Sequence, residues 1–158
     1  LQARSKGLTL EHIPLIEKMI GEATTWAHLD EIAVHLVGGL IDNDPHTLTY
    51  LPVWAQSDNF WMRRAAILAQ LLQFRRGEGD FDLFARLVVP MFQEGEGWSK
   101  EERFFIRKAI GWVLHELSKS NPDLVYEFVR QHQHEMSGLT FREATRRLPA
   151  EYANRLSG

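Results

Sequence analysis

Two hexapeptides decide how this chain is read: Phe60-Trp61-Met62-Arg63-Arg64-Ala65 and Phe104-Phe105-Ile106-Arg107-Lys108-Ala109. They agree in residue type at every position, with two aromatic residues, one apolar residue, an arginine, a second cation and an alanine, at an offset of 44 residues. Each lies in a stretch whose apolar residues recur at i, i+3, i+4 and i+7, the period of a helix. A repeat of about 40–47 residues made of helical hairpins is the pattern of HEAT-like α-solenoids, in which stacked pairs share a continuous core. The pairs expected are 9–41, 45–75, 81–119 and 122–147, the second helix of each lining a concave surface. The alternative is a helical bundle in which the two hexapeptides coincide by chance.

Outward from the repeat, the helix starts are marked. Asp44-Pro45, Asp58, Asp80, Ser99 with Glu102, Asn121-Pro122 and Thr140 with Glu143 all precede apolar runs. These are N-cap, N1-proline or capping-box patterns, which satisfy the unpaired N–H groups of a first helical turn. The spacing predicts helices over 9–20, 25–41, 45–55, 59–75, 81–92, 100–119, 122–134 and 140–147, with a last turn near 150–156. No period-2 run of five or more residues stands between turn signals. The expected fold is all-α, one HEAT-like-repeat domain over 1–158, with Gly77-Glu78-Gly79 and Gly95-Glu96-Gly97 as tight helix connections rather than linkers.

Composition agrees. The chain has 158 residues, 44% hydrophobic and 25% charged, the balance of a single soluble domain with a packed core. Cysteine is absent, which removes disulfides, thiol nucleophiles and thiolate metal sites. No apolar stretch reaches the roughly 18 residues of a membrane span, and no secretory signal opens the chain, so a cytoplasmic protein is expected. Leu1 in place of Met is what a processed or partial chain presents. The net charge of −3 hides a division: residues 1–62 hold 3 basic and 8 acidic side chains, residues 63–158 hold 15 and 13. No Lys or Arg lies between Lys18 and Arg63. The total speaks mildly against nucleic-acid binding, but phosphate contacts need only a basic stripe on one face.

The solenoid reading directs attention to the second helix of each pair. Trp26 and Asp30 are one turn apart on one helix face, and Arg64 aligns with Lys108 through the repeat. Trp112 follows Lys108 by one turn. Indole, carboxylate, guanidinium and ammonium groups along one groove suit a sugar–phosphate chain. Each member also has a plain structural reading: core tryptophans, a carboxylate complementing a helix dipole, solvated cations. Arg142 and Arg146, also one turn apart, are read as phosphate contacts over a plain surface role. His132 and His134 beside Glu135 are read as a solvated helix end, His115-Glu116 lacks the rest of an HExxH motif, and no GxGxxG or P-loop is present. No metal and no cofactor is expected.

The segments Thr25–Asp30, Trp54 with Ser57–Ile67, Phe104–Leu114, Ser118–Pro122 and Leu139–Ala144, in this order and spacing, resemble the AlkD-like DNA alkylation repair family of HEAT-repeat DNA glycosylases, from about residue 8 to 148. The resemblance implies an α-solenoid whose concave basic groove binds duplex DNA. It implies hydrolytic release of cationic alkylated purines such as 3-methyladenine and 7-methylguanine. By the same resemblance, Asp30 stands at the catalytic carboxylate, Trp26 and Trp112 at the tryptophans that pack on the lesion's backbone, and Arg64 at a DNA-contacting arginine. Family members usually carry further N-terminal helices, with an aromatic that completes the site. Nothing in this chain corresponds to that aromatic, so a fragment or a shortened site is expected. An alkylated purine is already a good leaving group, so one carboxylate, a positioned water and aromatic faces suffice for the reaction. A non-catalytic DNA-binding module and a protein-interaction scaffold are the alternatives, and a monomer is expected.

Overall fold

A computed structural model describes residues 7–157. Every regular element among them is helical, as the periodicity predicts. The α-helices are α1 (Ile13–Gly21), α2 (Trp26–Glu31), α3 (Gly38–Asn43), α4 (Leu51–Ala55), α5 (Phe60–Leu68), α6 (Leu71–Arg75), α7 (Phe81–Val88), α8 (Lys100–Ser118), α9 (Pro122–His132), α10 (Gly138–Thr145) and α11 (Ala150–Ser157). No helix among the described residues is long and apolar enough to cross a membrane. The chain divides into two compact units, Leu1–Gln73 and Phe74–Gly158.

In the first unit, α2 and α3 are joined by a π-helical turn, Ile32–Val37, so the predicted helix over 25–41 forms and runs on to Asn43. Helix α5 packs against α1, α2, α4 and this π turn. Ile16, Ile20, Leu29, Ile32, Leu51 and Ile67 are all buried here, which matches the apolar period read from the sequence. Trp54 is buried with them and donates its indole N–H to Glu17 Oε2 at 2.8 Å, so its polar edge is satisfied. The segment 45–55 opens as a 3-10 turn capped by Asp44, and the predicted helix over 59–75 is interrupted at Ala69-Gln70. Its N-cap is Asn59, which accepts from Trp61 N–H at 2.8 Å, one residue later than the Asp58 cap expected.

In the second unit α8 is the central helix and packs most extensively on α10. Asp80, Ser99 and Asn121 cap α7, α8 and α9 as predicted. Thr140 does not cap its helix. Ser137 does, accepting from Thr140 N–H at 3.1 Å, while the buried Thr140 hydroxyl donates to the Arg107 carbonyl at 3.1 Å. The predicted helix over 81–92 changes to a 3-10 turn at Pro90, which lacks the N–H that would extend α7. Gly77 and Gly79 have φ of 77° and 94°, the left-handed backbone a tight helix connection requires. Glu94 also has positive φ, 51°, in a loop held from α8 by Arg103 and Arg107. Buried Phe74, Phe84 and Phe128 and half-buried Phe81 meet edge to face or tilted. Tyr152 on α11 stacks on Tyr126 of α9 and donates its hydroxyl to Asp123.

Candidate functional site

The first unit holds a carboxylate on a rigid mount. Thr25, extended in backbone, caps α2 by accepting from His28 N–H at 3.2 Å. That cap sets Trp26 at the first helical position, where it is 53% exposed, an unusual state for so large an apolar side chain. Asp30 lies one turn further along α2. Arg64 of α5 donates Nε–H to its Oδ1 at 2.8 Å and Nη2–H to its Oδ2 at 3.0 Å. The side chains are 6% exposed for Arg64 and 13% for Asp30. A two-point fork of this kind fixes both the position and the plane of the carboxylate. In the same unit Gln73 donates to the Gly38 carbonyl at 2.8 Å and to Asp42 Oδ1 at 3.0 Å, which ties α3 to the chain beyond α5. The π turn begins two residues after Asp30, and π turns recur at functional sites.

The neighbouring residue Arg63 is buried too, its Nη1–H donated to the Ser57 carbonyl at 2.7 Å. Arg107, its counterpart in the repeat, instead binds both oxygens of Glu94 at 2.5 and 2.9 Å. The ion pair with Glu94 holds the Arg107 guanidinium above its ordinary pKa. The two hexapeptides therefore share a pattern and differ in partners.

In the second unit, Lys108 and Trp112 lie one turn apart on α8, both half-buried. Arg142 on α10 and Arg146 at its C-cap are exposed. Glu143, between them in sequence, accepts from Lys108 Nζ at 3.3 Å and lies 3.7 Å from Arg146 Nη1. Its place against α8 exists because residue 111 is glycine: a Cβ at Gly111 would stand 2.7 Å from the Glu143 Cβ. Arg146 also approaches His115 Nε2 at 3.5 Å. Burial, followed by Arg146 and Lys119, holds the His115 imidazole below its ordinary pKa. The adjacent Glu116 bonds Lys119 at 3.2 Å and pairs with Arg75 at 3.5 Å. Burial raises its pKa, and these two cations more than offset that.

The structure thus brings Asp30 to Arg64, and it brings Lys108 and Arg146 to one shared carboxylate. Sequence reasoning used Glu143 only as a capping-box residue and missed it as a counter-charge. The signal available was its i, i+3 spacing to Arg146. The pairing of Arg64 with Asp30 carried no local signal, because 34 residues separate them. Among the described residues no group of three or more His, Asp and Glu gathers in a metal-binding arrangement. His132 bonds Glu135 at 2.8 Å at the end of α9.

These positions fall within a recognised family. The family model for DNA alkylation repair enzymes matches residues 1–148. The chain belongs to the DNA alkylation repair enzyme family. A solved structure of a predicted DNA alkylation repair enzyme from Enterococcus faecalis is similar, with a TM-score of 0.72 and 27% sequence identity. The match covers 94% of this chain and 63% of that one, so this chain spans less than two thirds of that relative's length. The curated proteins contained no match. Asp30, Trp26, Arg64, Lys108, Trp112, Arg142 and Arg146 all lie inside the segment that the alkylation repair family matches.

Proposed function

We propose that this chain acts in DNA alkylation repair as a glycosylase, hydrolysing the N-glycosidic bond of cationic alkylated purines, 3-methyladenine and 7-methylguanine, in duplex DNA. One observation carries the reading: a family member presents a carboxylate, Asp30, gripped on both oxygens by Arg64 and one turn from the exposed indole of Trp26. The chemistry follows from the substrate. As the bond from purine N9 to C1′ breaks, its electron pair leaves with the base and neutralises it. Positive charge develops on the deoxyribose, and water then adds at C1′ and loses a proton. An anion fixed beside that charge stabilises the transition state without reorganisation. Arg64 is the positioning residue for that anion and, by the family resemblance, also meets DNA. The face of Trp26 packs on the sugar–phosphate backbone or the cationic base.

In the second unit Lys108, Arg142 and Arg146 supply phosphate contacts and Trp112 an aromatic surface for the backbone. The reaction needs no cofactor. The 44-residue repeat supports a HEAT-like solenoid as the scaffold and one domain over 1–158. A second reading, a DNA-binding module without catalysis, rests on residues 63–158, whose 15 basic against 13 acidic side chains support backbone contacts whether or not Asp30 acts. Incubating the purified chain with duplex DNA containing 7-methylguanine or 3-methyladenine, and separating released base from the polymer by chromatography, decides between them. Release supports the glycosylase. Tight binding without release supports the module.

A further inference from the structure

Glu143 meets two of the cations proposed above to contact DNA phosphates, Lys108 and Arg146. Its carboxylate meets the Lys108 ammonium at 3.3 Å and lies 3.7 Å from the Arg146 guanidinium, the two cations on either side of it. The carboxylate side chain is 22% exposed, whereas Lys108 is 41% and Arg146 is 60% exposed. The cations are thus reachable from solvent while their counter-charge is partly sheltered. The stem of Glu143 rests on α8 at Gly111, where a Cβ would come within 2.7 Å of it, so the glycine lets this side chain approach the α8 cation. Arg146 also meets His115 Nε2 at 3.5 Å.

We propose that Glu143 is a built-in phosphate substitute that limits how tightly the protein holds the DNA backbone. The proposal rests on the DNA-binding reading above and deepens it. One carboxylate against two cations leaves the trio with a net charge of +1, so an incoming phosphate meets weaker attraction and must share Lys108 and Arg146 with a resident anion. Backbone attraction acts on all sequences alike, and each phosphate neutralised by a cation contributes about −0.9 to the slope of log K against log salt. Removing the resident charge frees cation capacity for DNA. The gain is greatest at low ionic strength, because these groups lie near solvent.

The test compares wild type with Glu143→Gln, which keeps size and hydrogen bonding, in titrations of an undamaged fluorescent duplex across a salt series. The variant is expected to bind about 3- to 10-fold more tightly at low salt, with a slope steeper by up to about 0.9. In a Lys108→Met background the same substitution is expected to have a smaller effect, since one of the two released cations is gone. Should Glu143→Gln not fold, Glu143→Asp reads the same quantity. Its carboxylate is one methylene further from Lys108, so intermediate tightening supports the proposal and none overturns it. Unchanged or weaker affinity with an unchanged slope in Glu143→Gln overturns the proposal alone. Absence of salt-dependent duplex binding by wild type overturns it together with the DNA-binding reading.

Discussion

Asp30 and Arg64 meet edge to edge, Oδ1 with Nε at 2.8 Å and Oδ2 with Nη2 at 3.0 Å, although 34 residues separate them in the chain. Under the proposed reaction the pair couples stability to chemistry. The guanidinium that compensates a nearly buried carboxylate is the same group that aims it. Substitutions at the two positions therefore have different and separable consequences.

Asp30→Asn keeps the shape of the side chain and removes the anion proposed to stabilise the sugar cation. Excision of 7-methylguanine in single turnover is expected to fall by about 100-fold or more, the scale of losing one preorganised electrostatic group. Duplex affinity is expected to hold or rise, since a negative charge near phosphates is gone. Equal excision rates would refute the catalytic assignment.

Arg64→Ala leaves the Asp30 carboxylate without its partner in a site where both side chains are largely buried. A loss of about 3–5 kcal/mol in unfolding free energy is expected, measured by urea denaturation. Arg64→Lys should recover only part of it, because an ammonium cannot reproduce the two-point fork. A neutral result for Arg64→Ala would show that the pair contributes nothing to the fold.

Trp26→Ala should behave in the opposite way. The indole is 53% exposed at the start of α2, and Thr25 supplies the cap, so little packing is lost. Stability is expected to change by roughly 0.5 kcal/mol or less, while excision and affinity for alkylated duplex fall. A large drop in thermal midpoint with unaltered excision would mark Trp26 as a structural residue only.

His115 makes stability depend on pH. Burial comes first among the causes that depress its pKa in the folded protein, then Arg146 and Lys119, with Arg147 adding to them and Glu116 pulling the other way. Among the described residues its Nδ1 has no hydrogen-bond partner. Above its ordinary value of about 6.5 the imidazole is neutral in both folded and unfolded chains, and its full contribution is present. As pH falls below that value the unfolded chain takes up a proton that the folded chain refuses, so stability declines until the folded group also titrates. The thermal midpoint of wild type is expected to fall more steeply than that of His115→Gln across this window. Parallel curves would remove His115 as the cause.

The helices and most of their starts were legible in the residues because they depend on local energies. Asp44, Asp80, Ser99 and Asn121 cap as their positions predict, each bonding an N–H two or three residues ahead. The local signals failed where two candidates stood close together. Asn59 caps in place of Asp58, and Ser137 in place of Thr140, whose hydroxyl is taken by the Arg107 carbonyl of a neighbouring helix. The repeat likewise revealed that Arg64 and Lys108 are equivalent in pattern, but not what they would touch. Tertiary packing decided that, burying Arg64 on a carboxylate 34 residues before it and leaving Lys108 half-exposed on one 35 residues after it. A helix's own period sets which residues share a face. Which charge that face meets is set by the helix packed against it, and no interaction within a turn or two of chain encodes that choice.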